Sequence, residues 1–146
     1  MLYIHRYGAF AEMYSGGKIE GYRFESFELC VRTREVFDLR RTAPLRLEPK
    51  MFEVLLYLIE HRARIVLKDE LVDEVWGGLS LSSGVVPQCI CMLRKALGDT
   101  GRSQRILKTH YGHGYRFVCS AVPADFDSRT FGPGIYESST AHLGRY

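Results

Sequence analysis

Gly84-Val85-Val86-Pro87-Gln88-Cys89-Ile90-Cys91-Met92-Leu93-Arg94-Lys95-Ala96-Leu97-Gly98 is the stretch on which the reading of this chain turns. Val86, Cys89, Ile90, Leu93, Ala96 and Leu97 recur at the spacing of one helical face, which predicts a helix over 84–97 with that face buried. Gln88, Cys91, Met92 and Lys95 fall on the opposite face, with Arg94 at its edge. Gly98 is suited to the left-handed residue on which helices commonly stop. Ser82 or Ser83 is the expected cap at the start. A helix anchored by an apolar stripe and presenting amide and cationic groups outward has the shape that enters the DNA major groove. Gln88 can make two hydrogen bonds to adenine, and Arg94 and Lys95 can meet guanine or phosphate. The same pattern describes any helix whose terminal cations complement its dipole, so the neighbouring segments must decide.

Immediately upstream, Leu67, Leu71, Val72, Val75 and Trp76 recur at helical spacing. Lys68, Asp69, Glu70, Asp73 and Glu74 fill the other side, which reads as a solvated acidic face. Gly77-Gly78 ends this helix, and Leu79 to Ser83 is a loop. Further upstream, Pro49 sits where a first-turn proline sacrifices no hydrogen bond. It opens a helix that is apolar from Met51 to Ile59 except for Glu53, and so is buried on most of its circumference. Three short strands are expected before it: a run from Tyr22 to Val31, another over Glu35 to Leu39, and a third where Leu45 and Leu47 alternate with Arg46 and Glu48. Downstream, Ile106 to Thr109 and Tyr115 to Cys119 flank His110-Tyr111-Gly112-His113-Gly114, the pattern of a β-hairpin. Pro123 is the expected end of the fold. The organisation read from the chain is an extension over 1–21, one domain over 22–122, and a flexible tail over 123–146.

Charge supports a polarised surface. Between Gly84 and Val118 six cations (Arg94, Lys95, Arg102, Arg105, Lys108 and Arg116) face a single carboxylate, Asp99. The 67–78 segment has one lysine against four carboxylates. A basic segment beside an acidic one suits a domain with one face toward phosphate. The overall charge of +3 decides nothing by itself. Cys30, Cys89, Cys91 and Cys119 form no CxxC pair, and they read as reduced thiols in a cytoplasmic protein. Cys89 and Cys91 diverge by about 200° around a helix, and His110 and His113 lack an adjacent thiol or carboxylate pair, so neither a metal site nor a cofactor is expected. No apolar run is long enough for a membrane helix, and no nucleophile, metal or phosphate-loop motif marks an enzyme.

The order of elements is that of a winged helix, and here a resemblance becomes specific. Tyr22-Arg23-Phe24…Phe27-Glu28-Leu29, Leu47-Glu48-Pro49…Phe52-Glu53-Val54-Leu55, Lys68-Asp69-Glu70-Leu71…Val75-Trp76, Leu93-Arg94-Lys95-Ala96-Leu97-Gly98-Asp99 and Gly112-His113-Gly114-Tyr115-Arg116-Phe117-Val118 together resemble the effector domain of OmpR/PhoB-type bacterial transcription regulators. The resemblance implies an α+β fold: an N-terminal four-stranded antiparallel sheet, three helices with a helix-turn-helix, and a C-terminal β-hairpin wing. It implies sequence-specific binding to double-stranded DNA, often as two copies head to tail on direct repeats, and regulation of transcription. It also implies contact with RNA polymerase through the loop over 77–83. The residues expected at DNA are Gln88, Cys91, Met92, Arg94, Lys95, Lys108, Thr109, Tyr111, His113 and Arg116.

Departures from the family pattern are also legible. The recognition helix carries Pro87, Cys89, Cys91 and Met92 where relatives often have Arg, His or Thr. The wing tip has Tyr111 and His113 where relatives often have an Arg, and His113 supplies charge only when protonated. Only 21 residues precede Tyr22, too few for a receiver domain, so the chain is expected to be a stand-alone regulator or a fragment. The competing reading is a degenerate winged helix that binds protein instead of DNA, favoured by the Met and Cys on the outward face.

Overall fold

Two periodicities, two for the strands and 3.6 for the helices, divide the labour in this chain. The computed structural model describes residues 18–127. The element order is β1 (Lys18–Phe24), β2 (Phe27–Cys30), β3 (Glu35–Asp38), β4 (Ala43–Pro44), α1 (Pro49–Glu60), β5 (Val66–Leu67), α2 (Lys68–Trp76), α3 (Val85–Leu97), β6 (Leu107–His110), β7 (Gly114–Phe117) and β8 (Ala121–Asp127). The described residues fall into two units, 18–45 with 121–127, and 46–120. The α+β winged-helix architecture is present: antiparallel sheets, three helices and a hairpin after the third.

In the first unit five strands form one antiparallel sheet in the order β4-β3-β2-β1-β8. The run expected from Tyr22 to Val31 is a hairpin, because Glu25 takes a φ of 49° and turns the chain between β1 and β2. The strand expected over Leu45 to Glu48 lies earlier, at Ala43–Pro44. Leu45 N–H still reaches Val36 O, but residues 46–48 leave the sheet to lead into the helix that Pro49 opens.

The expected end of the fold at Pro123 is also displaced. β8 pairs with β1 from Ala121 against Phe24 to Asp127 against Lys18. Val122, Ala124 and Phe126 alternate with Pro123 and Asp125, the period of a strand. Proline is tolerated because β8 is an edge, where one side of the backbone needs no partner. Phe126 is buried with Cys30 and Phe37, and Ala124 packs against them. The Arg23 guanidinium lies 5.4 Å over the Phe126 ring. Pairing therefore runs past both expected boundaries, Tyr22 and Val122. The remaining residues of the expected extension and tail, 1–17 and 128–146, lie outside the described residues.

In the second unit, α1 is buried from Met51 to Ile59 as its composition demands, and it contacts α2, α3 and β7. Glu53 is buried too, and its carboxylate takes Lys50 Nζ at 3.4 Å. Lys50 also donates to Val75 O at 2.8 Å, which satisfies a carbonyl near the C-terminus of α2. Trp76, a natural candidate for a core anchor, is only partly buried.

Glu70 departs from the solvated acidic face expected of it. The Tyr57 hydroxyl donates to its Oε2, and Arg64 donates from Nη1 and Nη2 to its two oxygens at 2.8 and 2.6 Å. The His61 ring stacks on Tyr57 at 4.0 Å between centroids. This cluster joins the C-terminal end of α1 to the first turn of α2. The Arg64 bonds hold the Glu70 carboxyl down at about 2 against the upward push of burial.

A group whose folded-state pKa is depressed contributes stability above its unfolded value and loses it as pH falls through the folded one. The Glu70 contribution is therefore complete above about pH 4.5 and vanishes toward pH 2. Thermal unfolding midpoints measured from pH 5 to pH 2 should fall less steeply in Glu70→Gln than in the wild type. Parallel curves would contradict the assignment.

Candidate nucleic-acid interface

The first turn of α3 explains how a proline can occupy it. Gly84 caps the helix without a side-chain bond, in place of the expected Ser82 or Ser83, and Val85 N–H donates to Ser82 O. Pro87 is then the third helical residue, where an N–H would have no partner inside the helix. The first intrahelical bond runs from Gln88 N–H to Gly84 O. The loop before the helix is tied to α2 by Lys68 Nζ, which donates to Ser83 O at 2.8 Å.

Val86, Cys89, Ile90, Leu93 and Leu97 are buried as the spacing predicts, and Ala96 is half-buried. Burial and the Glu48 charge push the Cys89 thiol up to about 11. Gln88, Cys91 and Lys95 are exposed, and Met92 is 39% exposed. At about 100° per residue these four share an arc of roughly 100°.

Arg94 is directed elsewhere. Its Nε and Nη2 donate to Leu107 O at 3.1 and 2.9 Å, and Nη2 also donates to Thr109 Oγ1 at 2.7 Å. Arg94, expected at the edge of the outward face, and Thr109, expected separately among the residues at DNA, are instead bonded to each other. Arg116 is likewise engaged, with Nε donating to Arg62 O at 3.0 Å.

The wing is a sheet in the order β5-β7-β6, so β6 is an edge. Three of its backbone groups are covered by side chains, which hinders further strand pairing. Arg94 covers Leu107 O, Asp99 Oδ2 accepts from Leu107 N–H at 3.0 Å, and Gln104 Oε1 accepts from Thr109 N–H at 2.9 Å. Asp99 is only 4% exposed. It also accepts from the N–H groups of Thr100, Arg105 and Ile106 and from the Ser103 hydroxyl. Burial pushes its carboxyl up, but donation from Leu107, Ile106, Arg105 and Ser103 outweighs that and holds it down at about 2. Arg94 and Asp99 thus lock the recognition-type helix to the hairpin. Nothing in the spacing marks either role, since both partners lie in a strand of unrelated period.

At the hairpin tip Tyr111 is 83% exposed, His113 is exposed, and His113 N–H closes the turn on His110 O. Lys108 points outward from β6. A groove of about 780 Å³ runs between the N-terminal half of α3, the start of α2 and the hairpin. Pro87, Ile90 and Arg94 line it on one side, His110, Tyr111 and His113 on the other. Among the described residues no three metal-ligating side chains cluster, and no helix is long and apolar enough to cross a membrane.

Comparison with known proteins agrees with this geometry. A family model described as "Transcriptional regulatory protein, C terminal" matches residues 42–117. The chain is 37% identical over 79 residues to the transcriptional regulator HilA of Salmonella typhi, which covers 54% of this chain and 14% of HilA. It therefore spans about one seventh of that relative. Among solved structures, the DNA-binding domain of Klebsiella pneumoniae RstA in complex with the RstA box superposes with a TM-score of 0.59 at 25% identity, over 66% of this chain and 95% of that one. The response regulator DrrB, a Thermotoga maritima OmpR/PhoB homologue, superposes at 0.60 with 29% identity, over 80% of this chain and 51% of that one. With a helix-turn-helix, a locked hairpin wing and a family match across just over half its length, the chain belongs to the OmpR/PhoB-type family of transcriptional regulatory C-terminal domains.

Proposed function

We propose that this domain binds double-stranded DNA sequence-specifically and regulates transcription, with α3 in the major groove and the hairpin tip at the minor groove. The observation that carries the reading is the exposed stripe of Gln88, Cys91, Met92 and Lys95, held in one frame with the exposed Lys108, Tyr111 and His113. The solved RstA domain with its box, similar in fold and sequence, supports it. Gln88 is the polar reader of the stripe, and Lys95 and Lys108 are placed for phosphate. Arg94, Thr109 and Arg116 act chiefly by holding the frame, with any DNA contact secondary. The loop over 77–83, where Leu79 is exposed, is the surface proposed for RNA polymerase, and two copies would sit head to tail on direct repeats in the cytoplasm.

Salt dependence tests the reading. The logarithm of the binding constant should fall against the logarithm of salt with a slope of about −0.9 per phosphate contact. Lys95→Ala should weaken binding across sequences and make the slope shallower by about one, as the loss of one phosphate contact requires. Absence of binding to any duplex at low salt would sink the proposal and favour a protein-interaction domain, for which the exposed Leu79, Met92 and Tyr111 would be the contact residues.

A further inference from the structure

The outward stripe of α3 has a composition that selects among bases. Resting on the DNA-binding reading above, we infer that α3 reads an A·T-rich element, with Gln88 pairing to adenine while Met92 and Cys91 pack against the C5 methyl groups of thymine.

Reading guanine in the major groove takes a forked or ammonium donor for O6 and N7, and reading cytosine takes an acceptor for N4–H. The stripe has no carboxylate. The arginine nearest it is bonded to Leu107 O and Thr109 Oγ1, which takes its fork off the face. Lys95, the one ammonium on the stripe, lies one helical turn beyond Cys91 at its C-terminal end and is assigned above to phosphate, which carries no base preference.

The groups present match the other base pair. An amide such as that of Gln88 can donate to adenine N7 and accept from N6–H. The thioether of Met92 and the thiol of Cys91 offer no strong hydrogen bond and are suited to packing on an apolar group. The thymine C5 methyl is the one alkyl group that base edges present in the major groove. Gln88 and Met92 are one helical turn apart, about 6 Å along the axis, against about 3.4 Å per base step. Gln88 and the Met92–Cys91 pair therefore reach bases one or two steps apart. An adenine and a thymine so spaced on either strand would meet all three side chains.

The test uses the full 146-residue chain and a library of duplexes with a randomised core. Selected sites should share an A·T step at the position of α3. Thymines in the selected duplex are then replaced one at a time by uracil, which removes only the methyl. At one or two positions uracil should weaken the wild type about four-fold per methyl lost. Met92→Ala should bind the thymine duplex more weakly than the wild type and respond less to uracil at the position Met92 covers. Replacing the contacted adenine by 7-deazaadenine, which lacks the N7 acceptor, should weaken the wild type but not Gln88→Ala. Selected sites with G·C at the α3 positions, or uracil tolerated at every thymine, overturn the inference. Selected sites rich in G·C overturn it while leaving the sequence-specific reading intact, salt-dependent binding without base preference overturns it together with the proposed specificity and leaves only duplex binding, and no duplex binding at low salt overturns all of them.

Discussion

Asp99→Ala is expected to lower the unfolding free energy by about 4 kcal/mol and to abolish tight duplex binding with it. The carboxylate accepts five hydrogen bonds from the 100–107 segment, four of them from backbone N–H groups. Ile106 and Leu107 are fully buried, so alanine would strand two donors where water cannot reach them. Each stranded donor costs about 1–3 kcal/mol. Asparagine would not rescue, because its NH₂ would confront a backbone N–H that needs an acceptor. Urea unfolding of the wild type, Asp99→Ala and Asp99→Asn measures the effect directly. A loss under about 1 kcal/mol in Asp99→Ala would show that water or relaxation satisfies those donors. The binding loss has a mechanical cause: Asp99 sits immediately after the C-terminus of α3 and holds the start of β6, so releasing it uncouples the helix from the wing.

Gly114→Ala should be nearly as damaging, for a steric reason. Gly114 opens β7 opposite His110 on one side and Leu67 on the other. A Cβ there would run into the carbonyl oxygen of Val66 and come within 2.8 Å of its carbonyl carbon and 2.9 Å of Leu67 Cα. These are backbone atoms of β5 and cannot swing aside as a flexible side chain could. β5 and β7 must therefore separate at the base of the wing, at a cost of about 3 kcal/mol. Gly101→Ala is the matched control, since a Cβ there meets nothing within 4 Å and stability should stay within about 0.5 kcal/mol. Equal unfolding midpoints for the two variants would refute the steric account. Amide shifts in Gly114→Ala should concentrate in residues 64–68 and 107–117, leaving the 18–45 sheet unchanged.

Both residues illustrate what could be read from the chain alone. Gly114 was legible as part of a hairpin, because two glycines in a short connection mark a turn. Its closeness to Val66 was not, because β5 is two residues long and carries no alternation to detect. β8 was legible in principle, with Val122, Ala124 and Phe126 spaced by two, but Pro123 reads as a stop unless the strand is known to lie at an edge. Glu70 looked like one of four equivalent carboxylates on a helix face, and the Tyr57 and Arg64 that single it out come from the preceding helix and turn.

The recognition-type helix shows the same division most plainly. The spacing of Val86, Cys89, Ile90, Leu93 and Leu97 determined that α3 exists and which side is buried, and it placed Gln88, Cys91, Met92 and Lys95 on the outward stripe. Those are consequences of helical geometry, which acts within a few residues and leaves a periodic trace. Only the tertiary structure decided that Arg94 leaves that face for Leu107 O, 13 residues onward. Only the tertiary structure decided that Asp99 closes the edge of β6. A hydrogen bond between a helix and a strand depends on where the intervening chain brings them, and such a partner has no fixed spacing in sequence.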